Sequence, residues 1–406
     1  MKLKQVVLWG IPPLLLFLAL VALWNNPVTR GYFDGEYWES VGKFGESLRI
    51  AHARYVDENK TSYTKLTDTA LEGMTSALDR HSSYYPPPDY KNFQDETKRQ
   101  YFGIGIGIRK VEKGILITRV FPDGPAGEVG MVAGEFVAKV EDETVDDWTV
   151  RKVSKRIKGE DGTPVRIGLR TGSGEEREVK VIRGRIEVAS VEEARVDVNG
   201  TGYLRIEQFT ERTGDELREE LDALKAKGLE RLVLDLRDNS GGLLSAAVEV
   251  TSEFLEKGST VVSVQGREGF PERRFDSKPE DVPLGCPLVI LINEGSASAS
   301  EIVAGALGVS GRAKLVGEKS YGKGSVQTVF GLEDESGLRL TTAMYYLPDG
   351  STIHENGIEP DVAITCDEET EAKLRDQRHQ NAFTDPVAFE ALYGFVPVRD
   401  EQYITA

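Results

Sequence analysis

Histidine and cysteine are scarce in this chain, four and two among 406 residues, and both scarcities exclude something. Cys286 and Cys366 lie too far apart for the spacing of a metal knuckle, and the sequence leaves open whether they pair, stay free or sit buried. The histidines are His52, His81, His354 and His379, and none stands in a recognisable triad setting, so serine chemistry here would need a different base. Long basic runs are missing too. With 50 Lys and Arg against 67 Asp and Glu the formal net charge is −17, the wrong balance for a protein that grips a phosphate backbone. Nucleic acid is therefore not an expected partner. No internal repeat or low-complexity tract stands out, and the length suffices for two or three domains, each with its own core.

The N-terminus is the one long apolar run. Lys2 and Lys4 precede VVLWGIPPLLLFLALVALW, residues 6–24, an uncharged stretch of 19 residues. That is about what a bilayer core of roughly 30 Å requires. The positive flank comes first, which predicts a cytoplasmic N-terminus and an exported body. Pro12 and Pro13 suit an export segment better than a core helix. No A-x-A-like cleavage site precedes NNPVTRGYF, so the expectation is an uncleaved anchor in an inner membrane, with cleavage left open.

Beyond this segment the texture changes twice. Residues 31–97 carry apolar positions at helical spacing, as in WESVGKFGESLRIAHARYV and KLTDTALEGMTSALD, and the pattern stops at three prolines, 86–88, which forbid helix continuation. Residues 98–185 alternate like short strands (GILITRVF, EFVAKVED, PVRIGLR, EREVKVIRG) around one helical piece, DDWTVRKVSKRIKG. Residues 186–366 alternate strand with helix: GYLRIEQF, ERTGDELREELDALKAKG, RLVLDL, LLSAAVEVTSEFLEKG, PLVILIN, SASEIVAGALG. Such alternation predicts βα units around a largely parallel sheet. Residues 367–406 form a tail that the pattern leaves unassigned between packing on the core and mediating assembly.

The β-rich module opens with YFGIGIGI. The glycines at 103, 105 and 107 do not make a dinucleotide loop, because G-x-G-x-x-G needs glycine where Ile108 stands, and a strand rather than a helix follows. A glycine-rich strand entrance is the plain reading. The sharper one is a peptide-end binder, in which backbone N–H groups of Gly103, Ile104, Gly105 and Ile106 hold a terminal carboxylate and the strand edge pairs with the peptide. GPAGEVGMVAGEFVAKVED favours it, being similar to the proline–alanine turn and following glycine of PDZ domains, although Glu135 replaces the usual Asp.

Chemistry points to the α/β part. EGSASASEIVAGAL follows an apolar strand and leads into a helix, whose N-terminus favours developing negative charge. Ser298-x-x-Glu301 is equally a capping box, and taken alone the stretch favours that explanation. In LVLDLRDNSGGLL, Gly241 and Gly242 can bring a bare N–H close to a substrate oxygen, or form a plain βα turn. GEKSYGKG, residues 317–324, follows the phosphate-loop pattern G-x-x-x-x-G-K-[ST] up to Lys323, but Gly324 stands where the magnesium-binding hydroxyl belongs. Lys323 is then either a solvated loop charge, a nucleotide lysine lacking its partner, or a base. To act as a base its amine must lose roughly three units from the usual pKa of about 10.4, which burial can supply.

Taken in order, these stretches resemble the carboxyl-terminal processing peptidases, the tail-specific serine proteases. GMTSALDRHSSYYPP (with Arg80 where the family has proline), FGIGIGI, GYLRIEQFTERTGDELREEL, LVLDLRDNSGG, SASASEIVAGAL, VGEKSYGKGSVQ and LTTAMYYLPDGSTIHENGIEPDV run in register from about 35 to 365. The resemblance implies an α/β, crotonase-like protease core with an inserted PDZ domain and an N-terminal helical region. It implies Ser298 as nucleophile, Lys323 as general base at the family's spacing of 25, and Gln327 as the residue orienting the lysine. It further implies an oxyanion hole from Ala299 with Gly241 or Gly242, no metal or other cofactor, and polypeptide substrates with free C-termini in an extracytoplasmic compartment. In the family the PDZ domain recognises C-termini or gates the site, and self-association or an adaptor is an additional expected partner. Two rivals stay in view: a membrane-tethered PDZ adaptor with a dead protease core, and a nucleotide hydrolase using GEKSYGKG.

Overall fold

The computed structural model describes residues 34–97, 102–121, 124–186, 189–267, 272–280, 282–378, 386–393 and 395–406. The apolar segment 6–24 lies outside them. Among the described residues no helix is long and apolar enough to cross a membrane. By its own packing the chain divides into residues 34–90 with 329–340, and residues 91–328 with 341–406.

In the first unit, α1 (Gly35–Arg54) starts at Asp34, whose carboxylate accepts the N–H of Glu36, and none of its residues is buried. Helix α2 (Tyr63–Ser76) is capped by the Ser62 side chain. Asp79 then accepts the N–H groups of His81 and Ser82 and turns the chain into β1 (Ser83–Tyr85), which pairs with residues 337–339. The three prolines act differently from what the sequence suggested. The helical run already ends at Ser76, with β1 between, and Pro87 and Pro88 instead open α3 (Pro87–Thr97), because the first helical turn needs no N–H and a proline φ already fits it.

The β-rich module contains β2 (Phe102–Gly103), β3 (Ile106–Val111), β4 (Gly114–Val120), the short α4 (Pro125–Glu128), β5 (Phe136–Val140), β6 (Glu143–Thr144), α5 (Val150–Ile157), β7 (Pro164–Arg170), β8 (Glu176–Ile182) and β9 (Gly184–Arg185). Strands β3, β4, β5, β7 and β8 form an antiparallel sheet in that order, β6 pairs with β5, and β2 pairs with β9. Alternation drives it: Ile115, Ile117, Val137, Val165, Ile167 and Leu169 point inward, where Val153 and Ile157 of α5 meet them. Glu135, the departure noted above, is buried against Arg177, which donates to both its carboxylate oxygens at 2.8 Å.

The α/β part comprises β10 (Val191–Val196), β11 (Thr201–Ile206), α6 (Thr213–Ala226), β12 (Arg231–Asp235), α7 (Leu244–Ser252), β13 (Thr260–Gly266), β14 (Arg273–Asp276), β15 (Leu288–Ile292), α8 (Ala299–Val309), β16 (Lys314–Gly317), β17 (Ser325–Gly331), β18 (Gly337–Tyr346) and β19 (Val362–Ala363). Three helices follow: α9 (Glu368–Arg378), α10 (Pro386–Tyr393) and α11 (Glu401–Thr405). Strands β11, β12, β15, β16 and β19 run parallel in that order, and β10 closes one edge antiparallel. The end of β18 pairs with β13, which pairs with β14.

A parallel sheet must be covered on both faces. One face carries Leu204, Leu232, Leu234, Ile290 and Ile292 into a core shared with Leu217, Val250, Ile302 and Val303 of the helices. The other carries Tyr203, Val233, Leu291 and Val316, with Ile364, Tyr403 and Ala406 against them. The end of the tail therefore packs on the core, the first of the two roles the sequence left open for it. The register sets Asp235 beside Leu291 and Ile292 beside Gly317, so the carboxyl ends of β12, β15 and β16 finish at one level. Open α/β sheets bind ligands at such an edge.

Candidate active site

Three turns leave that edge: 236–243 after β12, 293–298 after β15, and 318–324 after β16. They carry Gly241 and Gly242, Ser298, and Lys323.

The second turn contains three serines of unequal standing. Ser296 is fully buried and donates its hydroxyl to the Leu236 carbonyl at 2.8 Å; Ser300 is fully buried and donates to the Asn239 carbonyl at 2.8 Å. Ser298 alone of the three is partly exposed. Its backbone sits at φ 56°, ψ −110°, which is not the extended conformation of an ordinary N-cap. A non-glycine residue held there costs about 1–3 kcal/mol and persists only when its surroundings enforce it.

The enforcing group is Glu301, which is fully buried. Its Oε2 accepts the N–H of Ser298 at 2.7 Å and the N–H of Lys323 at 2.9 Å. Its Oε1 accepts the Ser320 hydroxyl and the Gly322 N–H, both at 2.6 Å. A capping box accounts for the first of these bonds and none of the others. One carboxylate thus joins the Ser298 turn to the Lys323 loop, bringing together the two backbones that the sequence separates by 25 positions.

The lysine loop does not hold a nucleotide. The Gly322 N–H, which a phosphate loop would offer to its ligand, is given to a carboxylate. A Cβ at Gly324 would overlap the backbone nitrogen of His354, so the missing hydroxyl cannot be restored in this fold. The nucleotide-hydrolase reading fails on both counts. Lys323 itself is partly buried. Three residues beyond the loop end, Gln327 donates from Nε2 to Ser325 Oγ at 2.8 Å and Thr341 Oγ1 at 3.3 Å, which fixes its amide and leaves Oε1 as its acceptor.

The first turn settles which glycine has a spare donor. Gly241, at φ 100°, gives its N–H to Asn239 Oδ1 at 2.9 Å. Gly242 has no hydrogen bond from its N–H among the described residues, its neighbours making the bonds to Phe209 instead. Both positions require glycine. A Cβ on Gly241 would stand 2.7 Å from the Ala297 carbonyl and 3.0 Å from the Ala299 nitrogen, and one on Gly242 would overlap the Phe209 carbonyl. Ala299, the first residue of α8, likewise has no intrahelical acceptor for its N–H. The Ala299 amide adjoins Ser298 in the chain, and the Gly241–Gly242 turn packs against the same stretch, where a Cβ on Gly241 would stand 2.9 Å from Ser298 Cβ.

Asn239, for which the sequence suggested no role, is the hub of this arrangement. Its Nδ2 donates to the Ile206 carbonyl at 2.7 Å, and its own carbonyl accepts Ala297 N at 3.0 Å and the Ser300 hydroxyl. Behind it Asp235 and Arg237 form a buried pair, Nε to Oδ1 at 2.9 Å and Nη2 to Oδ2 at 2.6 Å, with Tyr203 donating to the same carboxylate. Burial by itself raises the Asp235 pKa, but the Arg237 guanidinium overcomes it and holds the carboxyl well below its usual range.

The remaining candidates, Gly103, Ile104, Gly105 and Ile106, lie in the β-rich module and line a groove of about 220 Å³ with Ile157 and Lys158. There the Gly105 carbonyl accepts Phe121 N at 3.0 Å and the Ile104 carbonyl accepts Ala126 N at 2.7 Å. Strand β3 is a sheet edge, and α5 lies alongside it. Cys286 and Cys366 are free and partly buried. Among the described residues no group of three or more His, Cys, Asp or Glu is arranged to hold a metal ion.

A profile of peptidase family S41 matches residues 200–364, the span that carries all three turns. Over 332 residues the chain is 38% identical to a carboxy-terminal-processing protease of Bartonella bacilliformis, covering 80% of this chain and 75% of that one. It is 34% identical over 304 residues to the carboxy-terminal processing protease CtpA of Bacillus subtilis, covering 75% of this chain and 65% of the relative. A solved S41 protease structure from Bacteroides fragilis superposes with a TM-score of 0.54 at 17% identity, over 81% of this chain and 91% of that one, which supports the fold. The chain belongs to peptidase family S41, as a serine peptidase of the carboxy-terminal-processing type.

Proposed function

We propose that this protein is a serine endopeptidase that cleaves polypeptides through an acyl-enzyme, with Ser298 as nucleophile and Lys323 as its base. Ser298 Oγ attacks the peptide carbonyl while the neutral Lys323 amine takes its proton and passes it to the leaving amine. Water then repeats the attack and releases the acyl group. Gln327 orients the lysine. The N–H groups of Gly242 and Ala299 receive the oxyanion, and Gly242 replaces the undecided glycine pair because the Gly241 donor is already spent on Asn239. The observation that carries the reading is the shared Glu301 Oε2 between the Ser298 and Lys323 backbones. With the full chain acting on an unstructured protein, Ser298→Ala and Lys323→Ala are each expected to abolish turnover at unchanged folding. Parent-like turnover in either variant would sink the assignment.

We further propose that the core is crotonase-like, and that the inserted β-rich module is a PDZ domain. A substrate C-terminus would pair with the edge of β3 and place its carboxylate at the 103–106 turn, beside Lys158. This predicts that a peptide with a free apolar C-terminus binds and its C-terminal amide does not, which fluorescence anisotropy would decide. Residues 6–24 make an inner-membrane anchor with the catalytic part on the extracytoplasmic side in this proposal, and exported proteins are then the substrates. Accessibility of the body to added protease in spheroplasts tests that topology.

A further inference from the structure

The C-terminal segment holds the turn that bears Gly242, and it does so from outside the span matched by the family profile. Asp238 lies four residues before Gly242 and has φ 60°, so the turn is bent there against the preference of a non-glycine residue. Its N–H is donated to Asn293 Oδ1 at 2.8 Å, and Asn293 Nδ2 donates back to Asp238 Oδ1 at 3.2 Å. Helix α9 completes the enclosure. Arg378 Nη1 donates to Asp238 Oδ2 at 2.9 Å and to Glu371 Oε1 at 2.8 Å, Arg375 Nε donates to Asp238 Oδ1 at 3.2 Å, and Asn293 Nδ2 donates to Glu371 Oε1 at 3.1 Å. Arg378, Glu371 and Asn293 are buried. One residue earlier, Arg237 Nη1 donates to Asp400 Oδ1 at 2.9 Å and Gln402 Oε1 at 3.0 Å. Asn293 Oδ1 also accepts the Gly295 N–H at 3.1 Å, so the same cluster touches the nucleophile turn.

The physical need for such an anchor follows from the glycines. Gly241 and Gly242 have no side chains with which to fix their own orientation, and glycine backbone is the freest of all. An amide that must meet an oxyanion at hydrogen-bond distance has to be held by what precedes it. We infer that Glu371 and Arg378 of α9 are positioning residues for catalysis, acting through Asp238 to aim the Gly242 N–H. The inference rests on the acyl-transfer reading above.

The test compares the full chain with Glu371→Gln, Arg378→Gln and Asp238→Asn on one peptide substrate and one peptide aldehyde, which forms the tetrahedral adduct. Loss of a whole oxyanion donor costs about 10²–10³ in rate, so misplacing one is expected to lower kcat by about 10–100-fold with KM changed less than about two-fold. Aldehyde affinity is expected to fall by the same factor as kcat, because only the tetrahedral species uses the amide. Arg378→Lys is expected to recover part of the loss. Asp238→Asn keeps the shape and the Asn293 bonds, so it reports even if Arg378→Gln is poorly folded. In a double-mutant cycle the Asp238 and Arg378 losses are expected not to add. Folded variants with parent-like kcat, a loss confined to KM, or additive losses would each overturn the positioning role. Turnover surviving in Ser298→Ala would instead overturn the catalytic reading beneath it.

Discussion

At the scale of single residues, the site depends on groups that cannot be exchanged for their nearest chemical neighbours. Gly242→Ala puts a methyl group into the Phe209 carbonyl and so displaces the amide proposed above to receive the oxyanion. We expect a loss of at least about 100-fold in kcat, read by steady-state kinetics, since in the proposed mechanism the change removes an oxyanion donor. Arg237→Gln acts on stability. It strands Asp235 in the interior without its cation, a loss of about 3–5 kcal/mol measurable by urea unfolding. The pH dependence has a defined sign. The folded Asp235 carboxyl titrates below its unfolded value of about 3.9, so its contribution is fully present above that pH and is lost as the pH falls. Stability of the parent is therefore expected to drop on acidification below about pH 4, which denaturant midpoints across pH 2–6 would show. Flat midpoints would contradict it.

At the scale of elements, the tail explains how the parallel sheet is closed. Strand alternation sends Tyr203, Val233, Leu291 and Val316 to the face away from α6, α7 and α8, and the family-matched span ends at 364, before α11. Tyr403 of α11 meets Tyr203 edge-on with ring centroids 5.2 Å apart. Tyr403→Ala is expected to cost about 1–3 kcal/mol, and a chain ending at 366 to expose the face and bind a hydrophobic dye. A truncated chain with parent stability would show that the face is covered by something else.

At the scale of the whole molecule, α9 also reaches the β-rich module. Asp376 pairs with Arg109 of β3, and the Arg109 guanidinium lies 5.8 Å from the Tyr393 ring centroid. One helix thus meets the strand at the groove on one side and Asp238 on the other. If peptide binding at the groove changes turnover, linkage requires that occupancy of the active site changes peptide affinity by the same factor. Asp376→Asn is expected to shrink that factor while leaving the basal rate within about two-fold. Titration of peptide with and without the aldehyde measures it, and an unchanged factor would remove α9 from the connection.

Much of this was legible in the sequence, and for an identifiable reason. Period-two and period-3.6 apolar patterns are local properties, so the antiparallel module and the βα alternation followed from the residues themselves. The glycines followed as well, because a bare backbone is conspicuous wherever it falls. Local chemistry misled where one residue serves two ends. Proline stops a helix from within and starts one from its first turn, and the run at 86–88, expected to do the first, does the second. Ser298 and Glu301 satisfy a capping pattern, yet Glu301 is spent mainly on a loop some twenty positions away. Tertiary structure alone decided that Gly242 rather than Gly241 keeps its donor, that Asn239 joins three elements, and that α9 and the start of α11 bond to Asp238 and Arg237. Each depends on hydrogen bonds between residues distant in sequence, and no spacing or periodicity along the chain encodes which partner a buried polar group will find.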